Sequence, residues 1–226
     1  MQRILMGLSV LGLLLGVLVV VLFVNYARYQ PLPAPENLPD VAVVEVDADA
    51  IAERLSAALQ FRTISSIDYA SVDYAPYDAF LAWLEETYPA VHATMEREFV
   101  NRTPIYRWPG RDSGLEPVMF TAHYDVVPVP EETLANWDVD PWAGVIKDGF
   151  IWGRGALDDK QSLIGLLEAA EAAIAAGFTP ERDIYFIFGE DEEVGGRLGA
   201  QAATALLQER GVSFAWMLDE GSMIFD

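Results

Sequence analysis

The hydrophobic positions of this chain change their spacing several times, and each spacing predicts a different element. Residues 4–24 form an apolar run without a charge, which is long enough to cross a hydrocarbon core as a helix. Apolar residues then recur with helical spacing from residue 48 and again over 75–88. Continuous apolar runs at 118–122 and 184–188 indicate strands, the second of them buried on both faces.

The rest of the chain continues an alternation of strands and helices. The further elements are predicted strands over 98–108 and 214–218 and predicted helices over 161–176 and 198–210. This alternation predicts an α/β fold of three layers, with a mostly parallel sheet covered by helices on both faces. The carboxyl ends of such strands gather at one edge, where open α/β sheets bind their ligands.

The same pattern divides the chain into three parts. Residues 1–29 are predicted to be a transmembrane anchor, residues 30–47 a proline-rich spacer, and residues 48–226 a folded domain. A cleaved signal peptide is the alternative, but no small-x-small cleavage site follows the apolar run. We therefore expect a single-pass membrane protein. Its domain is predicted to lie outside the cytoplasm, because a large acidic domain after one apolar segment is most often exported.

Composition narrows the kinds of ligand. The chain has 226 residues, 35 acidic against 14 basic residues, and a formal net charge of −21. A field of that sign repels phosphate backbones, so the composition argues against nucleic-acid binding. The chain has no cysteine, so disulfides and thiolate metal sites are excluded. Any metal site must therefore use His, Asp and Glu.

Candidate chemistry is concentrated in four short clusters that follow predicted strands or lie in the loops between elements. They are His123-x-Asp125, Asp158-Asp159, Asp191-Glu192-Glu193 and Asp219-Glu220. Brought to one edge, these groups repel one another unless cations lie between them. Two divalent ions that share a carboxylate would resolve the repulsion and would activate water for hydrolysis.

Within these clusters, His123 ends a strand and is the first candidate ligand, since neutral imidazole is the commonest protein ligand for transition metals. Asp125 can accept the proton of the other ring nitrogen. Glu192 and Glu193 can divide two further tasks, one as metal ligand and the other as proton shuttle.

Each cluster also has a simpler interpretation when it is taken alone. His-x-Asp is often a structural pair, Asp158-Asp159 can cap a helix, and acidic residues suit a helix start. His92, in a polar region, is interpreted as a surface residue. A magnesium-dependent phosphoryl-transfer site is a weaker alternative, because no glycine-rich loop follows a strand and the net charge repels phosphate.

In combination and in this order, the motifs resemble a known family. They are Thr-Ala-His-Tyr-Asp-Val-Val-Pro at 121–128, Trp-Gly-Arg-Gly-Ala-Leu-Asp-Asp-Lys at 152–160, Asp-Glu-Glu-Val-Gly-Gly at 191–196 and Leu-Asp-Glu-Gly at 218–221. The chain is similar to the zinc-dependent exopeptidases and deacylases that include carboxypeptidase S, aminoacylase, acetylornithine deacetylase and succinyl-diaminopimelate desuccinylase. The carboxypeptidase S branch is the most similar in detail. The resemblance covers residue 48 to the end and corresponds to the N-terminal part of such proteins.

The resemblance implies a dinuclear zinc site of the zinc-exopeptidase type. His123 would bind one zinc ion, Asp158 would bridge both ions, and Glu193 would bind the other. Glu220 matches the pattern of the fourth ligand better than Asp219 does.

The resemblance also implies roles around the metals. Glu192 would act as general base and then as general acid, and Asp125 would orient His123. A cis peptide bond is expected between Asp158 and Asp159.

The implied activity is that of a zinc metallocarboxypeptidase or amidohydrolase. It would cleave a C-terminal peptide bond or an N-acyl amino acid by metal-bound hydroxide. The family's second histidine and its lid domain, which also dimerises, are missing from residues 1–226, so we expect a fragment of a longer protein or a second polypeptide that supplies them. A homodimer is expected only where the lid is present. The alternative is an inactive fragment or a metal-binding module that lacks the lid and the last histidine ligand.

Overall fold

The structure, a computed structural model, describes residues 2–28 and 46–220. The chain divides into two units, Met1–Glu45 and Val46–Asp226. The first unit contains helix α1 (Gln2–Arg28), which is about 40 Å long at the usual rise per residue. Its portion Val10–Arg28 is long and apolar enough to cross a membrane by length and composition. Nearly all of the predicted spacer at 30–47 lies outside the described residues.

The second unit contains the remaining helices and strands. The helices are α2 (Ala48–Ala58), α3 (Ala75–Thr87), α4 (Pro89–Thr94), α5 (Lys160–Ala175) and α6 (Ala200–Glu209). The strands are β1 (Glu96–Val100), β2 (Thr103–Trp108), β3 (Val118–His123), β4 (Val145–Lys147), β5 (Phe150–Trp152), β6 (Ile184–Gly189) and β7 (Trp216–Leu218). Three short 3₁₀ turns lie at Tyr69–Ser71, Glu131–Asn136 and Glu192–Val194.

A five-stranded sheet forms the centre of this unit, in the order β1-β2-β6-β3-β7. Strand β3 pairs in parallel with both β6 and β7, whereas β1–β2 and β2–β6 are antiparallel. The sheet is therefore mixed, and the predicted parallel arrangement holds for β6, β3 and β7 only. In the parallel register His123 lies opposite Gly189, so two chemically important strand ends are level with each other.

The antiparallel part arises from a hairpin that the sequence pattern did not reveal. The single strand predicted over 98–108 is wrong, because the chain reverses between β1 and β2. Asn101 makes this reversal with a φ of 54°, a left-handed conformation that Asn adopts more readily than most residues. The small hairpin of β4 and β5 was also not predicted.

Helices cover both faces of the sheet, as predicted. Side chains alternate between the faces of a strand, so Tyr106 and Phe186 pack in the large core with α2, α3, α4 and α5. Ile105 and Ile187, one residue away on the same strands, pack in a smaller core with α6. The outcome is a three-layer α/β domain with one core on each face of the sheet.

The predicted ends of α5 and α6 are close to those observed. A further short helix, α4, follows α3 and was not predicted. Gly177 and Gly211 follow α5 and α6 with positive φ angles of 78° and 71°, as expected after a helix. Pro89 lies just after the end of α3, and it begins the short helix α4. On α4, His92 is half-buried, and its Nε2 is 3.0 Å from the Tyr106 hydroxyl. The prediction that His92 is a surface residue is therefore wrong.

Candidate metal centre

The site lies where the parallel strands end. His123 is the last residue of β3, and the Asp191-Glu192-Glu193 cluster begins two residues after the end of β6. Asp219-Glu220 directly follows β7. Since parallel strands end at the same edge, the fold brings these three clusters together. The fourth cluster, Asp158-Asp159, directly precedes α5.

His123 is at the centre of this arrangement. Its side chain is 1% exposed, and its Nδ1 is 3.0 Å from the main-chain oxygen of Asp125. Its Nε2 is 2.9 Å from Asp158 Oδ1, 3.5 Å from Glu220 Oε2 and 3.8 Å from Glu192 Oε2. One ring nitrogen is thus held by the backbone, while the other faces three carboxyl groups.

The Asp125 carboxyl group is completely buried and contacts two parts of the site. Its Oδ1 is 3.3 Å from His123 Nδ1, and its orienting role remains a prediction. It also accepts hydrogen bonds from the main-chain N–H groups of Glu192, at 2.9 Å, and Glu193, at 3.2 Å. Asp125 therefore fixes the turn that carries both glutamates, a role that the sequence pattern did not reveal.

Among the described residues, two sets of side chains, which share His123, are close enough together to hold a metal ion. One set is His123 with Asp158 and Glu193, and the other is His123 with Asp159 and Glu220. In each set the candidate ligand atoms lie within 4.8 Å of one another. Imidazole nitrogen and carboxylate oxygen are donors that zinc accepts, so the donor chemistry fits a zinc ion.

The structure thus brings His123, Asp158, Glu193 and Glu220 together, and their assignment as metal ligands remains a prediction. Asp159 is an additional candidate that the sequence did not single out. Asp219 belongs to neither set, and its carboxyl group accepts from the Thr121 hydroxyl and from the main-chain N–H of Glu220 at 2.9 Å.

Asp158 and Asp159 are joined by a cis peptide bond, as the family resemblance implies. Asp159 occupies the N-cap position of α5, but its side chain makes no capping hydrogen bond. Asp158 contacts His123 instead. Helix capping therefore does not explain this pair of carboxylates.

The acidic cluster around residue 191 divides into two functions. Asp191 is 3% exposed and accepts hydrogen bonds from Leu198 N, Gly199 N and the Tyr69 hydroxyl, all at 2.8–2.9 Å. It holds the loop after the turn, whereas Glu192 and Glu193 remain directed towards the site. Sequence adjacency alone did not separate these roles.

Lys160 is a further positioning residue that sequence reasoning missed. It follows the Asp158-Asp159 pair and is completely buried. Its Nζ donates to the main-chain oxygens of Ala58, at 2.9 Å, and Phe61, at 2.7 Å. Burial lowers the pKa of Lys160 to about 7. Lys160 ties the start of α5 to the end of α2, so it fixes the segment that presents Asp158.

The electrostatics of the site reflect crowding. Burial raises the pKa of Glu192, Glu193 and Glu220, and the pKa of Glu220 reaches about 7. Neighbouring carboxyl groups raise these pKa values further, whereas His123 lowers them. Burial alone would lower the pKa of His123, but the contacts with Asp125 and Asp158 outweigh it and raise the pKa to about 10. A divalent cation would relieve the repulsion and would compete with a proton for His123 Nε2.

A cavity of about 140 Å³ adjoins the site. His123, Glu192 and Glu220 form its polar side, and Met119 and Ile187 are among the residues on its apolar side. A ligand in this cavity could therefore place a polar group beside the carboxyl groups and an adjoining apolar group against Met119 and Ile187.

Comparison with known proteins identifies a matching family and similar sequences. Residues 119–223 match Peptidase family M20/M25/M40. The chain is 38% identical over 185 residues to the N-fatty-acyl-amino acid synthase/hydrolase PM20D1 of Mus musculus, covering 80% of this chain and 36% of that protein. It is 36% identical over 188 residues to carboxypeptidase S of Saccharomyces cerevisiae, covering 77% and 32%. The chain therefore spans only about a third of the length of these curated relatives.

Solved structures share the fold at lower sequence identity. The M20 family metallo-carboxypeptidase Sso-CP2 from Sulfolobus solfataricus superposes with a TM-score of 0.61 at 19% identity, covering 79% of this chain and 38% of that one. Human carnosine dipeptidase 1 superposes with a TM-score of 0.59 at 20% identity, covering 78% and 39%. The central mixed sheet with helices on both faces is thus a known arrangement.

Proposed function

We propose that the intact protein is a metal-dependent amidohydrolase, a proposal supported by the match of residues 119–223 to Peptidase family M20/M25/M40. Its substrate would be a C-terminal peptide bond or an N-acyl amino acid, a choice supported by relatives named carboxypeptidase S and N-fatty-acyl-amino acid synthase/hydrolase. The observation that carries the proposal is the convergence of Asp158, Glu192 and Glu220 on His123 Nε2.

We propose that the metal is zinc and that the complete site holds two ions. His123 would bind one ion, Asp158 would bridge both ions and Glu193 would bind the other, with Glu220 as the fourth ligand. The closeness of these groups supports this arrangement. Zinc at such a site lowers the pKa of a bound water to about 7 and polarises a carbonyl group. The protein contributes the ligand positions, which Asp125 and Lys160 fix through buried hydrogen bonds.

Glu192 is the proposed proton shuttle. Its side chain is 51% exposed, so it can reach a substrate, while its main-chain N–H is fixed by Asp125. The carboxylate would take a proton from the attacking water and give it to the nitrogen of the leaving amine. The adjoining cavity, with its apolar side, would receive an apolar part of the substrate.

Substitution of Glu192 by Gln in the intact protein tests this role. Gln cannot accept and return a proton, so we expect turnover of an N-acyl amino acid or a peptide to fall by about 10²–10⁴-fold, with bound metal unchanged. The measurements are steady-state kinetics and metal content, with Glu132→Gln at an exposed position as the matched control. Near-normal turnover of Glu192→Gln, with metal retained, would exclude this role.

We also propose that residues 1–29 anchor the protein in a membrane, that residues 30–47 are a spacer and that the catalytic domain begins near residue 48. The length and composition of α1 support the anchor. N-terminal sequencing of the mature protein and its extraction from membranes test this arrangement. A soluble protein that begins after residue 24 would show a cleaved signal peptide instead.

A further inference from the structure

A small polar cavity lies next to Glu190 and Asp191, just before the turn that carries Glu192. Its volume is about 10 Å³. Ser65, Tyr77 and Glu190 are among its lining residues, and they are 7%, 1% and 3% exposed. These three side chains are almost completely shielded from solvent.

Three polar atoms of these residues have no hydrogen-bond partner among the described parts of the chain. They are Ser65 Oγ, Tyr77 OH and Glu190 Oε1. The neighbouring groups are satisfied, because Glu190 Oε2 accepts from Arg102 N at 3.1 Å and Asp191 accepts three hydrogen bonds. A buried polar atom without a partner is destabilising, and three such atoms around one cavity are an unusual concentration.

We propose that this cavity binds one internal water molecule that bridges Tyr77, Ser65 and Glu190. Donor and acceptor counts favour water. The Tyr77 and Ser65 hydroxyl protons need an acceptor, and the Glu190 oxygen can accept a donor, so a water molecule can serve all three. A monovalent cation would bind the oxygens but would offer no acceptor for the hydroxyl protons. The volume is close to the minimum that one water molecule needs.

The water would connect three segments that are distant in sequence. Ser65 follows α2, and its N–H donates to Val126 O at 3.2 Å. Tyr77 is on α3, and Glu190 directly follows β6. The water molecule would connect α3 and Ser65 to Glu190, between the end of β6 and the turn that carries Glu192. This inference rests on packing and does not depend on the proposed catalytic activity.

A high-resolution crystal structure of the intact protein tests the proposal directly. We expect one density peak within hydrogen-bond distance, about 2.6–3.2 Å, of all three atoms. A cavity without density would overturn the proposal.

Thermal unfolding in NaCl, KCl and choline chloride at equal ionic strength distinguishes a bound water molecule from a bound cation. For water, we expect equal melting temperatures in the three salts. A rise specific to Na⁺ or K⁺ that Glu190→Gln abolishes would also overturn the proposal.

Removal of one hydroxyl supplies a second test. Tyr77→Phe deletes one partner of the water, so we expect its melting temperature to fall by about 2–4 °C. Tyr185→Phe is the matched control, because Tyr185 is also buried but lines a different groove and its hydroxyl is not among the unsatisfied buried atoms. Equal melting temperatures for the two variants would contradict the bridge.

Discussion

The two histidines of this chain occupy contrasting environments in the same domain. His92 on α4 has neutral partners, the main-chain oxygen of Tyr88 at 2.8 Å and the Tyr106 hydroxyl at 3.0 Å. His123 at the end of β3 has its Nε2 among carboxyl groups, the nearest being Asp158 at 2.9 Å. Burial lowers the pKa of His92, whereas acidic neighbours raise that of His123 to about 10 despite burial.

The difference shows what turns a buried histidine into a candidate ligand. Both rings are fixed through Nδ1 by a main-chain oxygen, so orientation does not distinguish them. What differs is the surroundings of Nε2, a hydroxyl for His92 and an acidic cluster for His123. The position at the carboxyl end of a parallel strand supplies that cluster, because neighbouring strands end there too.

The largest expected contrast comes from replacing each histidine with Gln in the intact protein. Loss of the partner that supports a metal ligand weakens metal binding by about 10- to 100-fold. His123→Gln removes a proposed ligand itself, so we expect zinc binding to weaken by more than about 100-fold. Turnover should fall with it. His92→Gln should leave both nearly unchanged. Zinc titration by calorimetry and an amidase assay measure the pair, and equal losses in both variants would remove the distinction.

A smaller effect on the same site is expected from Asp125→Asn. The Asn side chain has one acceptor oxygen, and its amide nitrogen cannot accept a hydrogen bond. It can therefore no longer accept hydrogen bonds from the main-chain N–H groups of both Glu192 and Glu193 in the observed geometry. We expect zinc affinity to fall by about 10- to 100-fold, with some loss of stability. Asp148→Asn on the exposed β4–β5 turn is the control, since Asn tolerates the positive φ at that position. An unchanged zinc affinity for Asp125→Asn would show that the turn is fixed in another way.

The smallest effect concerns His92 and pH. Burial lowers the folded-state pKa of His92, and the positive charge of Arg97 lowers it further. The negative charges of Glu85 and Glu171 partly offset this lowering. The unfolded chain therefore binds a proton at His92 more readily, so the stability that His92 contributes is complete above its unfolded pKa of about 6.5. That stability is lost as the pH falls below this value. Urea unfolding at several pH values should show a weaker acid destabilisation for His92→Gln, and parallel curves would contradict the assignment.

The sequence predicted the parts of the fold that depend on local pattern. The apolar runs of β3 and β6 and the helical spacing of α2 and α5 gave elements close to those observed. The convergence of His123 and Glu220 follows from the common edge at which parallel strands end. Asp158 precedes α5, and its place beside His123 was implied by the family resemblance. Strands β4 and β5 were missed because three residues each are too short for a periodicity to appear.

Other features depend on contacts between distant residues and could not be predicted. The burial of His92 depends on Tyr106, which is on a different element. The capture of the Glu192 and Glu193 N–H groups by Asp125 requires β3 and β6 to be adjacent. The separation of Asp191 from its acidic neighbours likewise depends on the Tyr69 hydroxyl and the following loop.

Anomalous X-ray scattering at the zinc edge from crystals of the intact protein tests most directly whether the carboxyl groups around His123 form a zinc site. We expect an anomalous peak about 2.0–2.1 Å from His123 Nε2, with an oxygen atom of Asp158 coordinating the same ion. A zinc-loaded crystal with no peak at His123, or with its peaks at other residues only, would contradict the account.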